Sequence, residues 1–280
     1  MLSGIDISNY QRSNYKTLID TYGKDFVITR AAWRFSVDPM CDVMYQYAKS
    51  KGKKLGVYFF PLTSDGEPEV HAEWAYKQVL GYVNEAVFFL DWEAYSGSEG
   101  RLDPSNVAWA KRWLDKFYQL SGVRPMIYMN SICNASYNFQ SIVDGNYGLW
   151  IANYGTNNGK DNGRPAVKYW KSAAMHQYTS LGDNGRSLDR DTFYGDKTAW
   201  NKYAMSNKTQ TSDKPASDPV PKTYTEDEVK MLIQQAESKY QQEIDDKIEQ
   251  LRQSKETLAA CQKVIADAKQ GIEGITNYGK

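Results

Sequence analysis

The chain has 280 residues and balances 34 Lys and Arg against 34 Asp and Glu, a formal net charge of zero. With 41% apolar and 24% charged residues it has the composition of an ordinary globular protein, long enough for one or two domains. The zero balance excludes a nucleic-acid binder that relies on overall positive charge. The longest apolar run, residues 86–90, falls far short of the ~20 residues of a membrane span. Neither nucleic acid nor membrane is therefore expected as a partner. The N-terminal stretch MLSGIDISNYQ has no basic segment followed by an apolar core, so no signal peptide is expected.

Strand-like runs follow in chain order at 4–7, 26–30, 55–60, 86–91, 125–129, 148–152, 175–178 and 187–189. Helix-like stretches at 39–51, 67–83 and 104–121 separate the early ones. Strands that are nearly continuous in apolar residues and alternate with helices predict a parallel sheet. About eight of them within 200 residues predict a small α/β barrel of the TIM type. The last three are joined by segments with weak helix signals, so the helical ring is expected to be incomplete.

In such a barrel the site forms where the strands end. Those ends carry Asp6, Arg30, Tyr58, Asp91, Glu93, Tyr128, Asn153, Gln177 and Asp189. The sharpest feature is Phe88-Phe89-Leu90-Asp91-Trp92-Glu93. Strand alternation points Asp91 and Glu93 the same way, with Cα atoms about 6.6 Å apart. Two inward carboxylates are costly unless paired, hydrated or used. Their mutual repulsion leaves a protonated acid beside a carboxylate, the division of labour that glycosidic cleavage needs. Taken alone, D-x-E also fits a solvated strand end; the apolar run before it favours the interior.

Only two histidines, His71 and His176, are available, which excludes a His-rich metal site and leaves a Ser-His-Asp triad little to draw on. Cys41, Cys133 and Cys261 show no zinc spacing and read as two buried thiols and one helix thiol. No metal or organic cofactor is expected.

All 8 Trp and all 9 Phe lie at or before Trp200. Residues 206–223, SNKTQTSDKPASDPVPKT, read as an extended linker between a barrel at 1–205 and a helical segment at 224–280. Thr225 and Glu228 fit a capping box. Leu251, Ser254, Leu258, Cys261, Ile265, Ala268, Ile272 and Ile275 form a heptad seam. Val229, Ile233, Ala236, Tyr240, Ile244 and Ile248 continue it upstream with a stutter. A coiled coil through which the chain forms a homo-oligomer is expected, with a helical hairpin or docking on the barrel as alternatives.

The chain closely resembles the family 25 glycoside hydrolases, lysozymes found as phage endolysins and bacterial autolysins. The resemblance rests on GIDISNYQ (4–11), FVITRAAW (26–33), GVYFF (56–60), FLDWEAY (89–95), MIYMN (126–130), LWIANYG (149–155), HQYTS (176–180) and LDRDTFYG (188–195). Singly most of these are weak; eight in register over the first 200 residues are specific. The tail lies outside it.

The resemblance implies a TIM-like barrel of five βα units followed by three strands. It implies cleavage of the β-1,4 bond between N-acetylmuramic acid and N-acetylglucosamine in bacterial peptidoglycan. Glu93 would be the general acid/base. Asp91 would assist the 2-acetamido group or act as nucleophile, and Asp6 and Asp189 would complete the catalytic carboxylates. Arg30, Tyr58, Tyr128, Trp150, Asn153, Gln177 and Tyr178 are candidate substrate-binding residues. A phage enzyme of this type would wait in the host cytoplasm for release to the wall; the other expectation is an extracellular or wall location. Two departures stand out: Phe59 where the family often has His, and His176 where it often has Trp. The alternative functions are a wall-glycan-binding module or a phage structural protein with weak or no turnover.

Overall fold

The structure is a computed structural model that describes residues 1–207 and, within 249–269, Glu249, Arg252, Gln253, Lys255–Leu258, Cys261–Ile265, Ala268 and Lys269. Contacts divide the chain into two units, Met1–Thr209 and Gln210–Lys280.

In the first unit β1 (Leu2–Ile7) leads through α1 (Tyr15–Tyr22) to β2 (Phe26–Trp33) and a short β3 (Ser36–Val37). Next come α2 (Cys41–Ser50), β4 (Lys54–Phe60), α3 (Pro68–Gln78), β5 (Ala86–Asp91) and a hairpin of β6 (Tyr95–Gly97) and β7 (Gly100–Leu102). The chain continues through α4 (Val107–Ser121), β8 (Met126–Asn130), α5 (Ser131–Ser136), α6 (Gln140–Asp144) and β9 (Gly148–Ala152). It ends in β10 (Met175–Thr179), β11 (Asp189–Phe193) and α7 (Lys197–Ala204). Eight strands, in the order β1-β11-β10-β9-β8-β5-β4-β2, close into a barrel through the β1–β2 pairing. The first five of these in sequence are each followed by a helix before the next barrel strand; β9 and β10 lead on through irregular chain.

Strand alternation sorts the apolar residues into two cores. Outside the barrel, Val27, Val57, Phe59, Phe88, Leu90 and Ile127 pack against the helices, where Trp113, Phe117 and Ala72 meet them. Inside lie Phe26, Ile28, Phe89, Met126, Trp150, Met175 and Phe193. Gly4 and Gly56 make room for the inner aromatics, since a Cβ there would stand 2.4 Å from Phe26 and 2.9 Å from Phe89. Helix α7, capped by Asp196 at Ala199 N, closes the lower end with Trp200, which stacks on Phe26 at 4.6 Å and donates to Leu55 O at 3.2 Å. The lower half of the barrel is therefore filled by side chains.

The last strand differs from expectation. It spans Asp189–Phe193 rather than 187–189, and it runs antiparallel to both β10 and β1. Its polar inward residues hid it from a search for apolar runs. Because it is reversed, its beginning lies at the rim where the parallel strands end. Asp189 thus faces Asp6 in the β1–β11 register.

Cys41 and Cys133 are buried free thiols and Cys261 is exposed. Among the described residues no helix is long and apolar enough to cross a membrane. In the second unit Leu258, Cys261, Ile265 and Ala268 have helical backbone, and Arg252 pairs with Glu249 and Glu256 along the helix. Residues 208–223 of the expected linker, the capping box and the other heptad positions lie outside the described residues.

Candidate active site

The upper rim holds two adjoining cavities. A groove of about 640 Å³ is lined by Asp6, Arg30, Trp33, Tyr58, Phe60, Asp91, Glu93, Tyr95, Glu99, Ser187 and Asp189, together with Tyr10 and its neighbours. A deeper recess of about 200 Å³ shares Asp6, Tyr58, Asp91, Glu93 and Asp189 and adds Tyr128, Trp150, Tyr154 and Gln177. The four carboxyl groups singled out in the sequence therefore meet in one place. A further cavity of about 670 Å³, lined among others by Arg124, Tyr147, Trp170 and Phe193, contains none of them.

β5 delivers the pair Asp91 and Glu93. Its six residues are all buried, and Trp92 N continues the ladder to Tyr128 O at 2.9 Å just past the strand end. Alternation turns Trp92 outward, where it stacks on Trp109 at 5.6 Å and donates to Pro104 O. Asp91 and Glu93 are left facing the recess. Asp91 is 8% exposed and its Oδ1 has no hydrogen-bond partner. Glu93 is half-buried, at the mouth.

The electrostatics follow from burial. Asp91 is held well above the ordinary carboxylate range, first by burial and then by the negative charges of Glu93 and Asp6. Glu93 is raised by burial and by Asp6. Asp189 is pushed up to about 8 by burial, Asp6 and Glu93. Asp6 rises only to about 6, because Gln177 donates a hydrogen bond to it. The site thus holds fewer charges than carboxyl groups at neutral pH, a mixture suited to acid–base work.

A polar scaffold lies beneath. Gln177 Nε2 donates to Asp6 Oδ2 at 2.8 Å, and its Oε1 accepts from Tyr128 Oη at 2.9 Å and Tyr154 Oη at 2.7 Å. On the other side Asp38 Oδ2 accepts from Arg30 Nε at 2.9 Å and from Asn9 N at 3.0 Å, tying the Arg30 guanidinium to the loop after β1. Tyr10 lies across that guanidinium, its ring centroid 5.3 Å away. Trp33, Phe60 and Tyr95 form an aromatic wall, with ring centroids 4.6 Å apart for Trp33–Phe60 and 4.8 Å for Trp33–Tyr95.

Of the expected binding residues, Arg30, Tyr58, Tyr128 and Gln177 line the cavities. Trp150 reaches the recess floor but is 2% exposed, wedged between Phe89 and Tyr128 as part of the inner core. The side chains of Asn153 and Tyr178 line neither cavity. Asn153 instead gives its backbone carbonyl to His176 Nε2. Tyr178 alternates with Gln177 and faces outward, beneath the Arg190 guanidinium. Sequence reasoning missed Tyr154, although two-residue spacing from Trp150 and Ala152 leads to it. It also missed Trp33, Phe60 and Tyr95, which gather at the rim from separate segments.

The two departures from the family pattern also face outward. Phe59 is fully buried against Trp113 and Phe117 on the helix side. His176 bonds the Asn153 carbonyl and lies against Tyr194 Oη. Neither removes a group from the site. His71 accepts from Trp113 Nε1 and binds the Arg34 carbonyl; burial lowers it to about 4, so it is a neutral structural imidazole. Among the described residues no group of His, Cys, Asp and Glu is arranged to hold a metal ion.

Titratable carboxyl groups gathered at the open end of a closed α/β barrel, beneath an aromatic-walled groove, define a barrel of the glycosidase class. Comparison with known proteins takes this further. The model of the glycosyl hydrolases family 25 matches residues 5–185. The chain belongs to that family and is a glycoside hydrolase of the lysozyme type. Among solved structures it is similar to a muramidase from Acremonium alcalophilum, with TM-score 0.60 and 20% identity over 73% of this chain and 99% of that one. It is also similar to the bacterial lysozyme from Streptomyces coelicolor, with TM-score 0.58 and 19% identity over 72% and 96%. The CTP1L endolysin aligns with TM-score 0.52 and 21% identity over 72% and 70%. A comparison with curated proteins gives no match.

Proposed function

We propose that the enzyme hydrolyses the β-1,4 bond between N-acetylmuramic acid and N-acetylglucosamine in bacterial peptidoglycan, with Glu93 as general acid/base. The observation that carries this reading is the position of Glu93. It is a half-buried carboxyl shared by groove and recess, on the same face as the buried Asp91 two residues before it, and burial and Asp6 raise it, which favours its protonated form where a glycosidic oxygen would lie.

Asp91 serves the 2-acetamido group. Its buried, unpartnered Oδ1 supplies an acceptor for an amide N–H. Polarised in this way, the acetamido carbonyl oxygen attacks the anomeric carbon as Glu93 protonates the departing oxygen. Water then opens the oxazolinium ring while Glu93 takes a proton back. Direct attack by Asp91 is the other route to the same retained product. Asp6 supplies negative potential beneath the developing positive charge, with Asp189, pushed up to about 8, beside it. Trp33, Phe60, Tyr95 and Tyr58 flank the sugars, with Arg30 facing their polar substituents.

The heptads read in the sequence of residues 224–280 assign that segment to self-association, and light scattering of the full chain distinguishes a multimer from a monomer. The bond assignment is tested by digesting purified peptidoglycan, reducing the products and identifying the reduced sugar by mass spectrometry. Reduced N-acetylmuramic acid is expected; reduced N-acetylglucosamine would place the cut at the wrong bond.

A further inference from the structure

A fully buried carboxyl group that the mechanism leaves unused is Asp191. Alternation along β11 turns Asp189, Asp191 and Phe193 into the barrel and Arg190 and Thr192 away from it. In the β1–β11 register Asp189 pairs with Asp6 and Asp191 with Gly4, so Asp191 stands one step below Asp6 on the same face. It is 0% exposed and lines neither cavity. Its Oδ1 accepts from Trp150 Nε1 at 2.8 Å. Its Oδ2 is buried with no hydrogen-bond partner, while the Asp6 carboxyl stands one register step away on the neighbouring strand and raises its pKa.

Two ionised carboxylates are acceptors only, and such proximity is repulsive unless one of them carries a proton. The neighbours decide which. Asp6 opens to the cavity and receives the Gln177 amide; Asp191 is sealed from solvent and no donor reaches its Oδ2. Among the described residues no cation compensates it, since the Arg190 guanidinium lies outside, over Tyr22 and Tyr178. We propose that Asp191 is a positioning residue that stays neutral and donates its proton to Asp6, holding Asp6 in place as an anion beneath the reacting sugar. The orphaned Oδ2 is then the donor oxygen of that bond. Burial and the charges of Asp6 and Asp189 push Asp191 well upward, in keeping with this assignment.

The groups facing Asp6 are Asp191, Asp189, Gln177, Tyr58, Asp91 and Glu93, with Arg30 the cation of the cavity. Removing the Asp191 donor makes Asp6 harder to ionise and moves the acid limb of activity to higher pH. Removing an ionised Asp191 would instead relieve repulsion and move that limb to lower pH.

The proposal rests on the reading of the cavity as catalytic, and the test separates the two. Asp191→Asn keeps an acceptor for Trp150 and an N–H for Asp6; Asp191→Leu keeps the shape and neither function. The pH profile of kcat/KM on soluble peptidoglycan fragments is measured for both. The Asn variant is expected within ~3-fold of wild type with its acid limb in place. The Leu variant is expected to lose more than ~10-fold near pH 6, its limb about one unit higher. An inactive but folded Asn variant, or a limb moved downward in the Leu variant, overturns the proposal. Carbon-13 NMR of the wild-type carboxyl groups decides it without activity, and where the Leu variant fails to fold. The Asp191 carbon is expected to stay protonated from pH 4 to 8 while Asp6 titrates, and titration of Asp191 in that range overturns it. An enzyme inactive on peptidoglycan sinks the functional reading and leaves the NMR result standing.

Discussion

The side-chain amide of Gln177 donates to Asp6 Oδ2 at 2.8 Å, joining residues on β10 and β1 across the barrel interior. The same side chain accepts from Tyr128 and Tyr154, so one amide sets the direction of three groups of the recess. Gln177→Leu removes all three bonds. A hydrogen bond to an ionised group contributes about 1.5–3 kcal/mol, so kcat/KM is expected to fall about 10- to 100-fold. The acid limb is expected to rise above the Asp6 value of about 6, because the bond that favours ionised Asp6 is gone. A full pH profile checks both effects.

The carboxyl cluster also sets the pH dependence of stability. Asp6 and Asp189 have folded pKa values of about 6 and about 8, above their ordinary value of 3.8. The folded state therefore binds more protons than the unfolded state between pH 4 and 8, and this contribution to stability is lost as pH rises through that window. Asp189→Asn removes the Asp189 contribution. Its melting temperature is expected to exceed wild type at pH 8 and to fall less between pH 5 and 8, with about 2–4 °C for each kcal/mol recovered. Parallel thermal melts at the two pH values are the check.

The aromatic wall is separable from the chemistry. Trp33 packs on Phe60 and Tyr95 at the groove edge, away from the recess. Trp33→Ala is expected to raise KM about 10-fold and to change kcat less than ~3-fold, as for loss of uniform substrate binding. Steady-state kinetics on soluble glycan fragments distinguish this from a fall in kcat.

Phe59 is buried between barrel and helices, so restoring the family's histidine there acts on stability. Phe59→His is expected to cost about 1–3 kcal/mol by burying an imidazole without a designed partner. Its product distribution should be unchanged. Urea denaturation and product analysis together test this.

Much of the barrel was legible because a strand buried on both faces is written as an apolar run, as at Ala86–Asp91, and because D-x-E at such a run's end resolves to one face. The last strand was misplaced because its inner face is Asp189, Asp191 and Phe193, which carries no apolar signature. Tyr178 was read as a binding residue because an aromatic near a strand end can pack on a sugar ring; the register with Asp191 instead assigns Gln177 inward and leaves Tyr178 outward. Trp150 was legible as an inward residue but not as the floor beneath a carboxyl network. The Trp33, Phe60 and Tyr95 wall depends on contacts between separate segments that no local pattern encodes.

The most direct measurement is kcat/KM of Glu93→Gln on purified peptidoglycan, beside a thermal melt of the same sample. The amide keeps the shape of Glu93 and cannot supply its proton. A loss of more than ~100-fold with an intact fold is expected for a general acid/base. Activity near that of wild type would contradict the assignment of Glu93 and, with it, the reading of the recess as the place where the bond is cut.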